Sequence, residues 1–273
     1  MQPLRGYSQN NILGVILINI HPSAIVDSNA KIGKDVSIGP YTVVQGDVII
    51  GDGCQIGSHV LIQSGTRIGQ KCRVFKGAVL GTDPQDLKYG GEKTTLEVGD
   101  ETTIREFCTL NRGSTHRLKT IVGFNTLLMA YVHIAHDCII GNNVILANAV
   151  NMAGHVTIED FASVGGMTPI HQFVKIGKYS FIGGGLRVPK DVPPYILAAD
   201  EPLTYEGINR VGLSRRGFSA QTMIQMRRAY KLIYRSKLNV SQAISEIENT
   251  MELIPEIQEI INFIKSSERG IIK

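Results

Sequence analysis

The sequence predicts an all-β solenoid of short parallel strands, followed by a small α-helical C-terminal segment. Three observations predict it. Apolar residues recur every six positions from Val26 to Val188. Of the 28 positions in that phase, 25 are Ile, Leu, Val or Met, and only Asp86, Glu92 and His116 break it. The residue two before each is commonly small, as at Ala24, Ala30, Cys54, Cys72 and Ala78, so positions i−2 and i share one face of a short strand. The residue just after is often glycine, as at Gly33, Gly51, Gly141 and Gly177, which predicts a bend where the chain is freed from a Cβ. Short strand and bend, repeated, stack into a solenoid. A helix cannot carry this beat, because residue i+6 leaves the face that i occupies.

Taken in order, residues 1–15 read as a loose extension, 16–190 as the solenoid and 191–273 as the helical domain. The apolar stretch Ile12–Ile20 is too short to span a bilayer, and Ile16–Ile20 is expected to be the strand that opens the first coil. No transmembrane segment is therefore expected. All four cysteines (Cys54, Cys72, Cys108, Cys138) sit at the small inward position, which favours core filling over disulfide or metal chemistry and suits a cytoplasmic protein. A net charge of +4 is too mild for general nucleic-acid binding. Its distribution is uneven. Eight Lys/Arg between residues 201 and 240 (Arg210, Arg215, Arg216, Arg227, Arg228, Lys231, Arg235, Lys237) face only Glu201 and Glu206. That patch is either a solvated helix face or a surface for an acidic or phosphate-bearing partner.

Two stretches interrupt the beat without losing its phase: residues 82–96 (TDPQDLKYGGEKTTL) and 112–120 (RGSTHRLKT). Loops on a rigid stack commonly carry function, and that reading is preferred here to a tolerated surface insertion. After Val188 the run DVPPY (Asp191–Tyr195) is expected to end the solenoid, since two prolines cannot donate to a ladder. Ser219 can cap a helix over Ala220–Ser236 with Met223, Met226, Tyr230 and Ile233 on one face. A second helix is expected after Ser241 and a third after Pro255, which suits a first helical turn.

Between Val122 and Val188 the beat is continuous, so residues 18 apart should lie above one another. His136, Gly154 and Gln172 then share one ladder; Asp137, His155 and Phe173 share the next; His133, Asn151 and Pro169 lie earlier on the same edge, near His171. Four of the seven histidines thus converge on one edge, at outward or corner positions. Histidine is the usual general base near neutral pH. Asp137 is the nearest acceptor to hold the His136 tautomer, and Gly154 offers a backbone N–H of the kind an oxyanion hole needs. No serine or cysteine is placed as a nucleophile. A base beside an oxyanion donor suits direct attack of a substrate hydroxyl on a thioester.

The six-residue beat resembles the hexapeptide repeat of the left-handed parallel β-helix, in which three hexapeptides make one triangular coil; the hand comes from that resemblance. Longer motifs carry a closer one. PQDLKYGGE (84–92), IREF (104–107), NRGS (111–114), HIAHDC (133–138), AGHVTIEDF (153–161), VGGMTPIHQF (164–173), DVPPY, RRGFS (215–219) and AYKLIYRS (229–236) are similar to those of the acyl-carrier-protein:UDP-N-acetylglucosamine O-acyltransferase family. The resemblance implies a homotrimer with sites in the clefts between subunits, acting at the first step of lipid A synthesis, with no cofactor or metal. It implies His136 as the base for the glucosamine 3-hydroxyl and Gly154 as the oxyanion donor. Asp86, Lys88, His133, His155, His171 and Gln172 would contact the sugar nucleotide, Asn209 and Arg215 its nucleotide end, and Gly184 would set acyl length. The basic helices would meet the acidic acyl carrier protein. The 3-amino form of the sugar acceptor and the acyl length stay open.

The chain departs from the family pattern at Pro202, where some members have histidine, at Val211, where some have glutamate, and at Asn111, which replaces a histidine. Three rival readings exist. The N-acyltransferase of the same pathway carries an extra N-terminal domain. A zinc lyase resembling γ-class carbonic anhydrase would use histidines such as His133 and His136. A purely structural solenoid needs neither a histidine edge nor a basic tail.

Overall fold

Each six-residue beat folds as a short strand and a corner in the computed structural model, which describes residues 19–273. The loose extension expected over residues 1–15, and the first residues of the expected opening strand, lie outside the described residues. The described end of that strand, Asn19–Ile20, pairs with Ser37–Ile38. Strands stack in parallel into three faces. Face A begins with Asn19–Ile20, face B with Ile25–Val26 and face C with Lys31–Ile32, and every third strand returns to the same face. The beat residues point inward and are buried, with Ile62, Leu80, Ile104, Leu128 and Ile134 each at 0% exposure. Burying such a side chain stabilises by roughly 1.5–3 kcal/mol, so the column of beat residues is the main cohesive element. Cys54, Cys72, Cys108 and Cys138 are free and buried within it.

The corners correct the expected role of glycine. The left-handed conformation falls three residues after the beat residue, and side-chain-bearing residues occupy it: Tyr131 (φ 65°), Asp137 (φ 58°), Asn143 (φ 57°), His155 (φ 64°) and Phe173 (φ 64°). The glycine one after the beat residue serves close stacking instead. A Cβ on Gly141 would lie 2.4 Å from Asp160 Oδ1 and 2.8 Å from Asp160 N in the next coil.

Pairing shows what the two interruptions do. Leu61 pairs with Val79, 18 residues on, but Val79 pairs with Thr109 and Thr109 with His133. Each interruption lengthens its coil and then rejoins the stack in register. The strands Thr95–Val98 and Lys119–Val122 resume pairing before the expected ends of the loops.

Asp191–Tyr195 does not end face A. Ile196–Ala199 adds one more parallel strand on Phe181–Ile182, and Thr204–Ile208 then pairs antiparallel with it. Four helices follow: α1 (Arg210–Arg215), α2 (Ala220–Arg235), α3 (Val240–Thr250) and α4 (Pro255–Lys265). The short α1 has no counterpart among the expected helices. Ser219 caps α2 as expected, its side chain accepting from Thr222 N at 3.0 Å. The cap of α3 is Asn239, in a reciprocal pair with Gln242, and not a residue at 241. Met226, Ala229, Tyr230 and Ile233 form the buried face of α2.

Candidate active site

The histidine edge is the corner where face B turns into face C. The 18-residue ladders form: His155 N–H donates to His136 O at 3.0 Å, and Phe173 N–H donates to Gly154 O at 3.2 Å. Adjacent side chains diverge in a strand, but the left-handed turn at Asp137 brings its carboxylate back to its neighbour. His136 Nδ1 lies 2.8 Å from Asp137 Oδ2.

Asp137 is fully buried. Its Oδ1 accepts from the N–H of Ser114 at 3.0 Å and of Arg117 at 3.2 Å, and its Oδ2 from the Ser114 hydroxyl at 2.5 Å. Burial pushes this carboxyl up, but hydrogen bonds from Ser114, His136 and the Arg117 N–H outweigh burial and hold it below the ordinary range. It is therefore an anion, and an anion beside Nδ1 fixes the proton there and leaves Nε2 of His136 as the acceptor.

Gly154 stacks on that ring. A Cβ at this position would lie 2.7 Å from His136 Nε2. Among the described residues, the Gly154 N–H meets no acceptor. At the corner between faces C and A the same position is treated differently: the N–H groups of Gln70, Phe124 and Asn142 are taken by Asp100, Asn142 and Asp160 side chains.

The His155 ring lies flat on Phe173, centroids 4.4 Å apart, and edge-on to His136 at 5.0 Å and to His116 at 4.8 Å. Its Nδ1 is 3.9 Å from Asp137 Oδ2 and has no hydrogen bond. Burial, and then the nearby charges of His136, His116 and Arg117, lower its pKa against the pull of Asp137. A cavity of about 280 Å³ opens above, lined by Asp86, Lys88, Glu92, His116, His155 and Phe173. His116, to which sequence reasoning assigned nothing, is thus part of the site; its one signal was that it broke the beat.

The loop carrying Asp86 and Lys88 is pinned from below by Arg112. Its Nε and Nη2 donate to the Tyr89 hydroxyl at 3.0 and 2.9 Å, its Nη1 donates to Ser64 O at 3.2 Å, and it pairs with Asp83. Asn111 Nδ2 adds bonds to Thr82 Oγ1 at 2.7 Å and Asp83 O at 3.0 Å. Arg112 and Ser114 were visible only as letters of the NRGS motif, and Asn111 only as a departure from the family pattern.

Other expected residues lie apart. His133 stands on face B with Nδ1 2.7 Å from Thr109 Oγ1, and burial lowers its pKa. His171 and Gln172 are exposed, His171 Nδ1 donating to Gln172 O at 3.1 Å. Asn209 and Arg215 line a larger cavity, about 700 Å³, on face A with Phe161, Tyr179, Val211 and Arg216. The Asn209 amide also caps α1, accepting from Gly212 N at 3.1 Å and donating to Tyr179 O at 2.9 Å. Gly184 is exposed, and a Cβ there would lie 3.0 Å from Gly166 O.

Ligand atoms of His136, Asp137 and His155 come within 4.8 Å of one another. Both Asp137 oxygens are already taken by protein donors, which makes the trio a hydrogen-bonded network and a poor cation cage.

Residues 20–64 and 119–154 match the family model described as bacterial transferase hexapeptide (six repeats), and residues 191–272 match that described as UDP-N-acetylglucosamine O-acyltransferase, domain 2. Fold and site together define a hexapeptide-repeat transferase built on the left-handed parallel β-helix with a small helical C-terminal region. Over 258 residues the chain is 47% identical to the acyl-[acyl-carrier-protein]–UDP-N-acetylglucosamine O-acyltransferase of Thiobacillus denitrificans, covering 94% of this chain and 100% of that relative. The Aliivibrio fischeri enzyme of the same name is 50% identical over 93% of this chain and 97% of its own length. The solved UDP-N-acetylglucosamine acyltransferase of Bacteroides fragilis superposes with a TM-score of 0.92 at 46% identity, covering 93% of this chain and 99% of that one. The chain belongs to the acyl-[acyl-carrier-protein]–UDP-N-acetylglucosamine O-acyltransferase family.

Proposed function

We propose that this chain moves a 3-hydroxyacyl group from the thioester of acyl carrier protein to the 3-hydroxyl of UDP-N-acetylglucosamine, the step that opens lipid A synthesis. The observation that carries the reading is the His136–Asp137 pair beneath the free N–H of Gly154. Nε2 of His136 takes the proton of the sugar hydroxyl as its oxygen attacks the thioester carbonyl. Charge gathers on the carbonyl oxygen, and the Gly154 N–H receives it. The tetrahedral species collapses, the carbon–sulfur bond breaks, and His136 returns the proton to the departing thiolate. Asp137 stabilises the imidazolium throughout and is not itself protonated.

Asp86, Lys88 and His155 would hold the sugar in the smaller cavity, with His133, His171 and Gln172 along the same edge. Asn209 and Arg215 would hold the nucleotide end, Arg215 by charge-assisted bonds to phosphate, and Gly184 would leave room for a long acyl chain. Asn209 and Arg215 line the cavity on face A, which in a triangular prism is opposite the corner between faces B and C. One chain cannot bring that face and that corner together, and this supports a homotrimer whose clefts pair the histidine edge of one protomer with face A of the next. The basic surface of α2, with Arg227, Arg228, Lys231 and Arg235, suits the acidic carrier protein. No described helix is long and apolar enough to cross a membrane, and the four buried free thiols suit action in the cytoplasm.

The test is incubation with UDP-N-acetylglucosamine and a panel of 3-hydroxyacyl carrier proteins of different length. Formation of the 3-O-acylated sugar nucleotide is expected. Absence of acyl transfer with every donor, or stoichiometric zinc in the purified protein, would sink the reading.

A further inference from the structure

The buried carboxylate of Asp137 has an imidazole on either side: His136 Nδ1 at 2.8 Å and His155 Nδ1 at 3.9 Å from the same oxygen, Oδ2. Only the first is a hydrogen bond, so only His136 has its proton held on Nδ1 and its Nε2 left as an acceptor. Something must choose between them. The protein group that engages Oδ2 besides His136 is the hydroxyl of Ser114, at 2.5 Å, while the N–H groups of Ser114 and Arg117 hold Oδ1.

We propose that Ser114 is a positioning residue of this reaction, turning the Asp137 carboxylate toward His136 and away from His155. The inference rests on the dyad reading above and extends it to a segment outside the repeat.

Three features support it. Ser114 is 8% exposed, so water has little room to replace its hydroxyl. Its bond takes the lone pair of Oδ2 that His136 leaves free, and a carboxylate with both oxygens held cannot rotate about its Cβ–Cγ bond. The segment that carries Ser114 is itself anchored. Arg112, two residues before it, ties to Tyr89, Ser64 and Asp83; Leu118 N–H, four residues after, donates to Ser114 O at 2.8 Å. Asp137 N–H in turn donates to Thr120 Oγ1 at 2.9 Å, at the end of the same segment. The six-residue excess of this coil thus carries the chain across the corner to grip the aspartate, which no regular coil in the stack does.

Ser114 borders the smaller cavity, but its hydroxyl is spent on the Asp137 carboxylate, so its effect on the reacting atoms runs through Asp137. This gives it a signature that general destabilisation lacks. Ser114→Ala in the full chain is expected to lower kcat roughly tenfold, with KM for both substrates within about twofold. Ser114→Thr, which keeps the hydroxyl, restores most of the loss. In an Asp137→Asn background the same Ser114→Ala change adds less than about twofold, because the partner through which it acts is already altered. Ser114→Cys keeps the volume with a weaker donor, gives an intermediate loss, and serves if the alanine variant does not fold. A kcat within twofold of the parent for both Ser114→Ala and Ser114→Cys overturns the proposal. So does a loss that carries undiminished into the Asp137→Asn background. Acyl transfer that survives His136→Ala would instead overturn the dyad reading, independently of the Ser114 series.

Discussion

His136 and Asp137 are neighbours in the chain, yet Nδ1 of one lies 2.8 Å from Oδ2 of the other. In an extended strand their side chains would face opposite sides of the sheet. The left-handed φ of 58° at Asp137 folds the carboxylate back across the corner, at a conformational cost of roughly 1–2 kcal/mol for a residue with a Cβ. The buried hydrogen bonds to the carboxylate offset that cost.

Removing the imidazole leaves this corner standing. His136→Ala is expected to lower kcat by about 10³-fold, with a melting temperature within a few degrees of the parent and an unchanged oligomer. Steady-state acyl transfer beside thermal unfolding checks it; turnover near the parent's would contradict the base assignment.

Gly154→Ala probes the same ring from above. Its new methyl would sit 2.7 Å from His136 Nε2, a contact the imidazole can relieve only by swinging out of line. A displacement of about 1 Å costs on the order of a hundredfold in kcat, and φ at this position needs no glycine. A variant with parental kcat would show that the ring has slack the structure does not suggest.

The Arg112 side chain ties down the loop that carries Asp86 and Lys88. Arg112→Lys keeps the charge but loses the forked donation to Tyr89 and the reach to Ser64 O. The expected result is a KM for UDP-N-acetylglucosamine raised roughly tenfold, with kcat changed by no more than a few-fold. Loss of kcat alone would place Arg112 elsewhere in the mechanism.

Burial lowers the pKa of His133 and His155 below the ordinary 6.5. The unfolded chain therefore binds protons at these residues more readily than the folded one, and the stability present above about pH 6.5 is lost as pH falls through the folded values. Melting temperature should decline across that window. The decline should flatten in a His133→Gln, His155→Gln double variant. Equal slopes for parent and variant would contradict the assignment.

The solenoid was legible because its core repeats in sequence: a beat of six and a stack of 18 need only apolar residues to be counted, and both Gly154 over His136 and His155 beside Asp137 follow from the count. The left-handed corner was not legible. Asp, Tyr, His, Phe and Asn all occupy it, so no residue type announces it. Glycine announces something else, the crowding between coils seen at Gly141. The grip of Ser114 on Asp137 and the edge of His116 on His155 were hidden for a different reason. Both lie in a segment out of register with the stack, whose path the count cannot follow. The extra strand Ile196–Ala199 follows a proline pair that reads as a stop, because only faces B and C lack full strands beyond it.

Thr204–Ile208 reverses direction against the last parallel strand of face A. An open solenoid end is a growth front: its exposed amides invite another coil of the same polarity, from the same molecule or from a different one. Here the last strand's outer edge is already engaged, Tyr205 N–H donating to Lys273 O at 2.7 Å with α2 packed beside it. Length control in this prism is thus written in a later segment of the same chain, which folds back over the front that a uniform, easily extended repeat would otherwise leave open.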